Sequence, residues 1–270
     1  MDIKITRDVL DGYLYCETKG YLKLAGQQGT VSDYQNLMAT SRDEVRKRAT
    51  ETILSQYSED EVVRQIPLDA SYLARGPLFV LDVTLRDDQF ALCFDGLKKV
   101  DGASKLGEFH FVPVLFHEGQ RVRKEQRLLL DLCGLLLTRL QGRPPAYGIV
   151  YHGGECRTMR VRLTPDARKA KRLLDDVRRM QESEACPRLV LNDHCEVCEF
   201  RQQCHAQAMR EDNISLLRGM GERELRRYAR KGIFTVTQAF LHVPPTKEEQ
   251  KGEKARLSPL PGTQGVSNPG

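Results

Sequence analysis

Three cysteines lie close together towards the C-terminal end of the chain, and their spacing is typical of a metal site. Cys195, Cys198 and Cys204 form a C-x2-C-x5-C array between His194 and His205. The segment is too poor in apolar residues to bury three thiols for packing, whereas such spacing lets a turn direct several thiolates at one centre. The array leaves the fourth ligand open: either histidine would complete a zinc site, and a distant cysteine would complete a four-cysteine site.

The chain contains eight cysteines, and five of them lie outside this array. Cys16 stands alone in the segment Tyr13-Leu-Tyr-Cys-Glu-Thr-Lys-Gly-Tyr-Leu22, where a buried thiol and a metal ligand are equally compatible with its setting. The others lie on apolar or unpatterned stretches typical of core or incidental thiols: Cys93, Cys133, Cys156 and Cys186. Because disulfide frameworks belong to small secreted domains, clustered cysteines in a chain of 270 residues indicate metal binding.

The combination of Cys16 with the late cysteine array resembles the RecB-like iron-sulfur nucleases of the PD-(D/E)xK superfamily, which include CRISPR-associated exonucleases with a four-cysteine cluster. The resemblance implies an α/β fold, a restriction-endonuclease-like core with a mixed β-sheet flanked by helices. It also implies that Cys16, Cys195, Cys198 and Cys204 hold a [4Fe-4S] cluster that joins the two ends of the nuclease domain. Closing a loop of ~180 residues in this way restricts the unfolded chain.

The same resemblance implies a site for metal-dependent phosphodiester hydrolysis. In these nucleases a core hairpin delivers an aspartate, and the next strand carries an acid, one spacer and a lysine, which together hold Mg2+ or Mn2+. Asp95 in Phe-Ala-Leu-Cys-Phe-Asp-Gly-Leu fits the catalytic, metal-binding aspartate, although an Asp-Gly pair is also typical of a turn. Pro113 and Leu115 occupy the positions of the acid and the lysine, and neither side chain binds metal. Gln126 is either a displaced remnant of the family's glutamine or a polar helix residue.

Side chains near both ends of the strand predicted at 109–116 offer alternative metal ligands. They are Glu108, His110, His117, Glu118 and Glu125. Their spacing distinguishes none of them from a surface residue. The sequence therefore leaves three functions open: a nuclease, a non-catalytic nucleic-acid-binding or interaction module that keeps the fold and the cluster, and a zinc protein of another class.

A glycine turn in the segment Ser215 to Thr237 resembles a helix-hairpin-helix, with Gly219 and Gly221 at the tight turn. Such hairpins offer backbone N–H groups and a helix N-terminus to phosphates. The expected partner is nucleic acid, with DNA favoured, and the alternative is a helical pair whose arginines serve solubility. In similar bacterial proteins a ribonuclease H-like nuclease domain follows the hairpin, so a separate nuclease or repair chain is a further expected partner.

Local periodicity predicts the elements that must position these residues. They are, in chain order, a helix over 5–24, a helix over 41–55, a hairpin from Leu78 to Leu97 with its turn at 86–88, a strand over 109–116, a helix over 123–140, strands over 148–151 and 158–163, and a helix from Pro165 to about Glu184. Ser41 is the expected N-cap of the second helix because Glu44 follows three residues later, and a polar loop is expected before it. This order predicts an α/β core with a mixed sheet.

Composition predicts three parts and a cytoplasmic, non-membrane protein. Residues 1–210 form the expected nuclease-fold domain, 211–242 the helix-hairpin-helix-like segment, and 243–270 a polar tail expected to be disordered. The sequence lacks an apolar run long enough to span a bilayer and an apolar signal block at its start. A net charge of +5 does not by itself indicate nucleic acid, but basic residues gather in groups, among them Arg157, Arg160 and Arg162.

Overall fold

The computed structural model describes residues 4–86, 89–164, 167–183 and 185–242. The predicted tail at 243–270, the turn residues 87–88 and the predicted helix ends Pro165 and Glu184 lie outside the described residues. The chain divides into two compact units between Ala206 and Gln207, four residues before the boundary expected from sequence. Among the described residues, none of the helices is both long and apolar enough to cross a membrane.

The first unit is an α/β fold built on an open, mixed sheet of seven strands within the described residues. The strands are β1 (Ile5–Thr6), β2 (Val62–Arg64), β3 (Phe79–Arg86), β4 (Phe90–Ser104), β5 (Gly107–His117), β6 (Tyr147–His152) and β7 (Arg157–Arg162). Their order across the sheet is β2-β3-β4-β5-β6-β7, and β1 pairs with the start of β4. The predicted strands β3 to β7 are confirmed, while the short strands β1 and β2 were not expected.

The strand directions follow from the connections. β3, β4 and β5 form an antiparallel meander, and β6 and β7 form an antiparallel hairpin. β5 and β6 are parallel, with Val114 opposite Ile149, because a long helix connects them. The result is a sheet of mixed direction, as the sequence predicted.

Helices lie on both faces of this sheet. They are α1 (Arg7–Tyr15), α2 (Glu17–Leu24), α3 (Asp33–Leu54), α4 (Ala70–Leu73), α5 (Lys124–Gln141), α6 (Arg168–Ser183) and α7 (Arg201–Arg210), which crosses into the second unit. Apolar residues of α1, α5 and α6 pack together on one face of the sheet. Val45, Ala49 and Ile53 of α3 pack on the other face, so the sheet is buried from two sides.

Two helix predictions need correction. The helix expected over 5–24 is interrupted at Cys16, which is extended (φ −164°) and separates α1 from α2. The second helix begins at Asp33, and its N-cap is Ser32, whose hydroxyl accepts from the backbone N of Gln35 at 3.3 Å. Ser41 therefore lies inside α3, and much of the expected polar loop is helical.

The second unit has a small apolar core of its own. A 3-10 helix (Ile214–Leu216) is followed by α8 (Glu222–Ala229) and α9 (Val236–His242). Ile214, Ile233 and Ala239 are buried together. The helical character expected for 211–242 is confirmed.

Candidate functional site

Cys16 lies at the corner between α1 and α2. Its backbone N–H donates to the carbonyl of Gly12 at 3.0 Å, and its carbonyl accepts from the N–H of Gly20 at 3.0 Å. These bonds satisfy the ends of both helices at the break. The corner is therefore a fixed position at which the side chain of Cys16 is half-buried.

The three late cysteines lie on a turn followed by a helix. Asn192 caps a 3-10 helix (Asp193–Val197), because its Oδ1 accepts from the N–H of His194 at 3.0 Å. Cys195 lies in this helix, Cys198 directly follows it, and Cys204 is buried in the first turn of α7. A tight turn and a helix start thus present the array, as the spacing predicted.

The structure brings Cys16 next to this array. The side-chain amide of Asn192 donates to the carbonyl of Tyr15 at 3.1 Å, and the Tyr15 ring stacks on His194 with centroids 4.5 Å apart. Burial, together with the neighbouring Cys16, Cys198 and Cys195, raises the pKa of the Cys204 thiol to about 12. The four cysteines predicted as cluster ligands are therefore electrostatic neighbours.

Four cysteine thiols are the type of donor that iron-sulfur clusters use. Burial raises the pKa of Cys195 and of Cys198, so free thiolates are disfavoured there until positive charge is bound. Within the described ranges, no group of three or more His, Cys, Asp or Glu side chains is arranged so that it could hold a metal ion. Support for a cluster therefore comes from the four thiols and their common location, and not from a metal-binding geometry already formed among the described residues.

The two histidines that flank the array differ in their surroundings. Nε2 of His194 lies 3.2 Å from the ammonium of Lys19, and because an ammonium only donates, Nε2 must accept. Burial lowers the pKa of His194, and the positive charge of Lys19 lowers it further. His205 is exposed on α7. The Nε2 lone pair of His194 is thus already engaged, which weakens the case for a local zinc site with this ligand.

Glu199 joins the cysteine array to the N-terminal helices, and sequence reasoning missed it. Its carboxylate accepts from Lys19 at 2.8 Å, from Lys23 at 3.1 Å and from the amide of Gln35 at 2.9 Å. Burial opposes ionisation, yet the hydrogen bond from Lys19 and the other contacts lower the pKa of Glu199 to about 2. Its position directly after Cys198, together with lysines three and seven residues after Cys16, was the available signal.

Asp95, the predicted catalytic residue, is almost fully buried in β4, with 5% of its side chain exposed. One carboxylate oxygen accepts from the backbone N–H of Phe116 at 2.9 Å and from Arg7 at 3.1 Å. The other accepts from Arg46 at 3.1 Å. Asp95 is therefore surrounded by guanidinium groups, and its pairing with Arg7 raises the pKa of that arginine although burial alone would lower it.

Asp82 is a second acid at this place and was not among the predicted residues. It lies in β3 between Leu81 and Val83, whose partners in β4 flank Asp95. Its backbone is left-handed (φ 54°), which an aspartate tolerates better than most residues. Its carboxylate contacts Arg46, and Arg64 lies 3.5 Å away. An aspartate inside the apolar run Leu-Phe-Val-Leu-Asp-Val-Thr-Leu was the sequence signal.

Four of the five alternative ligands separate into two groups at the ends of β5, and the fifth, Glu125, is buried in the first turn of α5. Glu108 is exposed near the start of β5, and His110 is buried there with Nδ1 3.1 Å from the carbonyl of Gly102. His117 and Glu118 lie at the opposite end of β5, which is the end that contacts Asp95 through Phe116. Pro113 and Leu115 are buried in the apolar core. Only the second group is near Asp95.

Gln126 lies in the first turn of α5 and forms a hydrogen bond with Tyr15, the residue before Cys16. Burial raises the pKa of Tyr15, the charges of Glu125 and Asp11 raise it further, and the hydrogen bond with Gln126 opposes the rise. Gln126 also caps α5, because its Oε1 accepts from the N–H of Arg123 at 3.0 Å. Gln126 is therefore a buried, engaged residue, not a free polar side chain on the helix surface.

In the second unit, the predicted glycines form the turn before α8. Gly219 is left-handed (φ 78°), and a Cβ there would meet open space. Gly221 is the N-cap of α8, with its N–H donating to the carbonyl of Gly219 at 3.0 Å. A 3-10 helix, not an α-helix, precedes the turn. α8 carries exposed arginines at Arg223, Arg226 and Arg227.

No protein-family model matches this sequence, and no curated protein matches it at a significant level of similarity.

Proposed function

We propose that this chain is an iron-sulfur protein with a RecB-like, restriction-endonuclease-like core that binds DNA without cleaving it. The observation that carries the second half of this proposal is the environment of Asp95. Its carboxylate accepts from Phe116, Arg7 and Arg46, so most of the acceptor positions that Mg2+ would need are already in use. Two guanidinium groups also supply the positive charge that a divalent cation would bring.

Four cysteines would hold the cluster in this proposal. Cys16 would contribute one thiolate from the corner between α1 and α2, and Cys195, Cys198 and Cys204 would contribute the other three. The bound cluster supplies iron atoms that accept thiolates, and so links two distant parts of the chain. The contacts of Asn192 with Tyr15 and of Glu199 with Lys19 hold the two segments side by side.

Metal content tests the cluster. Anaerobically purified protein is expected to be brown and to contain iron and sulfide, and Cys16→Ala is expected to lose most of both. Cys93→Ala is the matched control, because Cys93 is exposed on β4, and it should keep the wild-type content. Zinc in a colourless preparation, or unchanged iron in Cys16→Ala, would contradict the four-cysteine cluster and favour a zinc protein.

Cleavage assays test the central site. Wild type, Asp95→Ala and Asp95→Asn are compared on single-stranded and duplex DNA in Mg2+ and in Mn2+. We expect binding without cleavage by all three proteins. Metal-dependent cleavage by wild type that is lost in Asp95→Asn would show an active nuclease, in which Asp95 holds the metal and the arginines move aside.

The second unit is the proposed place of one DNA contact. The turn at Gly219 and Gly221 leads into the N-terminus of α8, and exposed arginines follow on that helix, a combination that suits phosphate. We read this segment as a variant helix-hairpin-helix. If it contacts DNA, removing residues 211–242 should reduce the dependence of binding on salt, and an unchanged slope would count against the contact.

A further inference from the structure

One face of the sheet carries α3, and this helix covers only part of that face. Val45, Ala49 and Ile53 of α3 are buried against an apolar cluster that includes Val114 and Ile149. Tyr147 lies at the margin of the same cluster and is partly exposed. Beyond this margin, the exposed side chains on this face include Arg160 and Arg162 of β7.

A single row of positions crosses four strands at this margin, and its member in β5, Val112, is fully buried. Lys98 in β4 is opposite Val112 in β5, and Tyr147 in β6 is opposite Arg162 in β7. Because Val114 is opposite Ile149, Val112 lies level with Tyr147 and completes the row. Side chains directly opposite each other in a ladder point to the same face. With strands spaced ~4.8 Å apart, the row is about 14 Å long.

The neighbouring row adds a second arginine on the same face. Arg160 is opposite Ile149, and its guanidinium lies 5.0 Å from the centre of the Tyr147 ring. Arg160 and Arg162 are exposed. We call Lys98, Tyr147, Arg160 and Arg162 the basic strip. Arg162 is opposite Tyr147, and the Tyr147 ring holds Arg160 in place. Lys98 is two strands away, and its ammonium lies 5.9 Å from the centre of the Tyr57 ring.

The two faces of β7 differ in how their arginines are paired. Arg157 is also exposed in β7, but it alternates to the other side, and Glu155 neutralises it through a contact of 2.6 Å. Val161, also on that side, is buried in a separate apolar cluster. The contact of Glu155 is with Arg157 on the opposite face, so it does not neutralise the arginines of the strip.

We propose that the basic strip binds the backbone of single-stranded nucleic acid, and this inference rests on the nucleic-acid binding proposed above. Exposed arginines beside an aromatic ring at the edge of a sheet suit a strand whose phosphates and bases are both accessible. Arg160 and Arg162 contact phosphates, and Tyr147 supports a stacked guanidinium next to which a base packs. Binding at the strip does not depend on contact with the four cysteines.

The test measures binding of a fluorescent oligothymidine by the full chain over a range of salt concentrations. The double variant Arg160→Ala/Arg162→Ala should weaken binding about tenfold and make the salt dependence shallower by about 1.4, since each single-strand phosphate contact contributes about 0.7 to the slope. Arg160→Lys/Arg162→Lys should keep most of the wild-type slope because it keeps the charge. Arg157→Ala is the matched control and should bind within twofold of wild type.

The alternative role of these arginines is to protect the edge of the sheet from pairing with another chain. In that case the alanine double variant would self-associate while its affinity and salt dependence stayed at the wild-type values, which would overturn the proposal. Failure of wild type itself to bind oligothymidine or duplex DNA at low salt would overturn the proposed function as well. Equal loss of binding in Arg157→Ala would show a diffuse charge effect and would also contradict a localised strip.

Discussion

Asp95 is buried in β4, where its carboxylate takes the place of a backbone carbonyl as a hydrogen-bond acceptor. The ladder between β4 and β5 ends with Gly96 opposite Val114, and the next free donor, the N–H of Phe116, is satisfied by Asp95. A buried carboxylate is costly unless it is paired, and Arg7 and Arg46 provide that pairing. The position of Asp95 in a sheet is thus explained by structure without any metal.

Arg46 should couple to Asp82 energetically, because it bridges the acids of two neighbouring strands. Arg46→Met is expected to lower the free energy of unfolding by about 2 kcal/mol, since it leaves two carboxylates with fewer partners. In a double-mutant cycle with Asp82→Asn, the coupling energy should be about 1–2 kcal/mol. Chemical denaturation at neutral pH measures both quantities.

Arg64 provides the control for this cycle. It lies 3.5 Å from Asp82, and 49% of its side chain is exposed, so Arg64→Met should cost only about 0.5 kcal/mol. Equal effects of the two arginine variants would mean that Arg46 is an ordinary surface ion pair. The bridging role would then be wrong.

Glu118 should make stability depend on pH in the acid range. Burial opposes its ionisation, but the hydrogen bond with His117 and the charge of Arg42 lower the pKa of Glu118 to about 2 from 4.5. A depressed pKa in the folded protein stabilises the fold above about pH 4.5, and this contribution is lost as the pH falls towards 2. Glu118→Gln should therefore be less stable than wild type by about 1–2 kcal/mol at pH 7, and the difference should shrink below pH 4.

Glu108→Gln is the matched control for this pH dependence, because Glu108 is exposed at the opposite end of β5. Its stability should follow that of wild type from pH 7 to pH 3. Circular dichroism with chemical denaturation at each pH gives the comparison. A constant difference between Glu118→Gln and wild type across this range would show that packing, not ionisation, is responsible.

The sequence pattern identifies Asp95 but not the two arginines that pair with it, and the reason is physical. An acid at the end of an apolar strand is visible in the local pattern. Arg7 and Arg46 come from helices far away in the chain, and nothing in their own segments distinguishes them from other helical arginines. Whether an aspartate binds metal or arginine is decided by such distant neighbours.

At the level of elements, long patterns were predictable and short or interrupted ones were not. The meander β3 to β5 and the helix α5 follow from alternation and helical spacing, and both were expected. β1 and β2 have two and three residues, so pairing and not pattern defines them. The first turns of α3 are largely exposed, and without a buried stripe Ser32 could not be preferred over Ser41 as the N-cap.

The loop between α2 and α3 should be essential for placing the cysteine array. A Cβ on Gly29 would lie 2.6 Å from the backbone of Glu199, and the next residue, Thr30, donates to the carbonyl of Glu199 at 2.9 Å. Gly29→Ala must therefore move the loop away from Glu199. We expect a loss of about 2 kcal/mol in stability and a lower iron content after purification.

Gly154→Ala is the matched control, because a Cβ on Gly154 would meet no atom within 4 Å. It should keep both the stability and the iron content of wild type. If Gly29→Ala behaves in the same way, the loop does not determine the position of the array. Thermal unfolding and iron analysis on the same preparations provide the comparison.

At the scale of the whole chain, the cluster would link its two distant ends. The contacts that bring Cys16 to the array, such as the stacking of Tyr15 on His194, join segments about 180 residues apart and are invisible to local periodicity. Only the resemblance to a known layout predicted this pairing. A link across so long a loop removes much of the freedom of the unfolded chain, by roughly 4–5 kcal/mol for a covalent cross-link.

Cys16→Ala should therefore destabilise the loaded protein by several kcal/mol and the cluster-free protein much less. The reason is that the missing ligand matters only when a cluster can use it, whereas the half-buried thiol contributes little packing. Denaturation midpoints of wild type, Cys16→Ala and Cys93→Ala are measured anaerobically, before and after removal of iron with a chelator. If all three midpoints converge after iron removal, the result would support a cluster that links the two segments. If Cys16→Ala is equally destabilised in both states, its effect is one of packing, and the two segments are held together without a cluster by contacts such as those of Asn192 with Tyr15 and of Glu199 with its lysines.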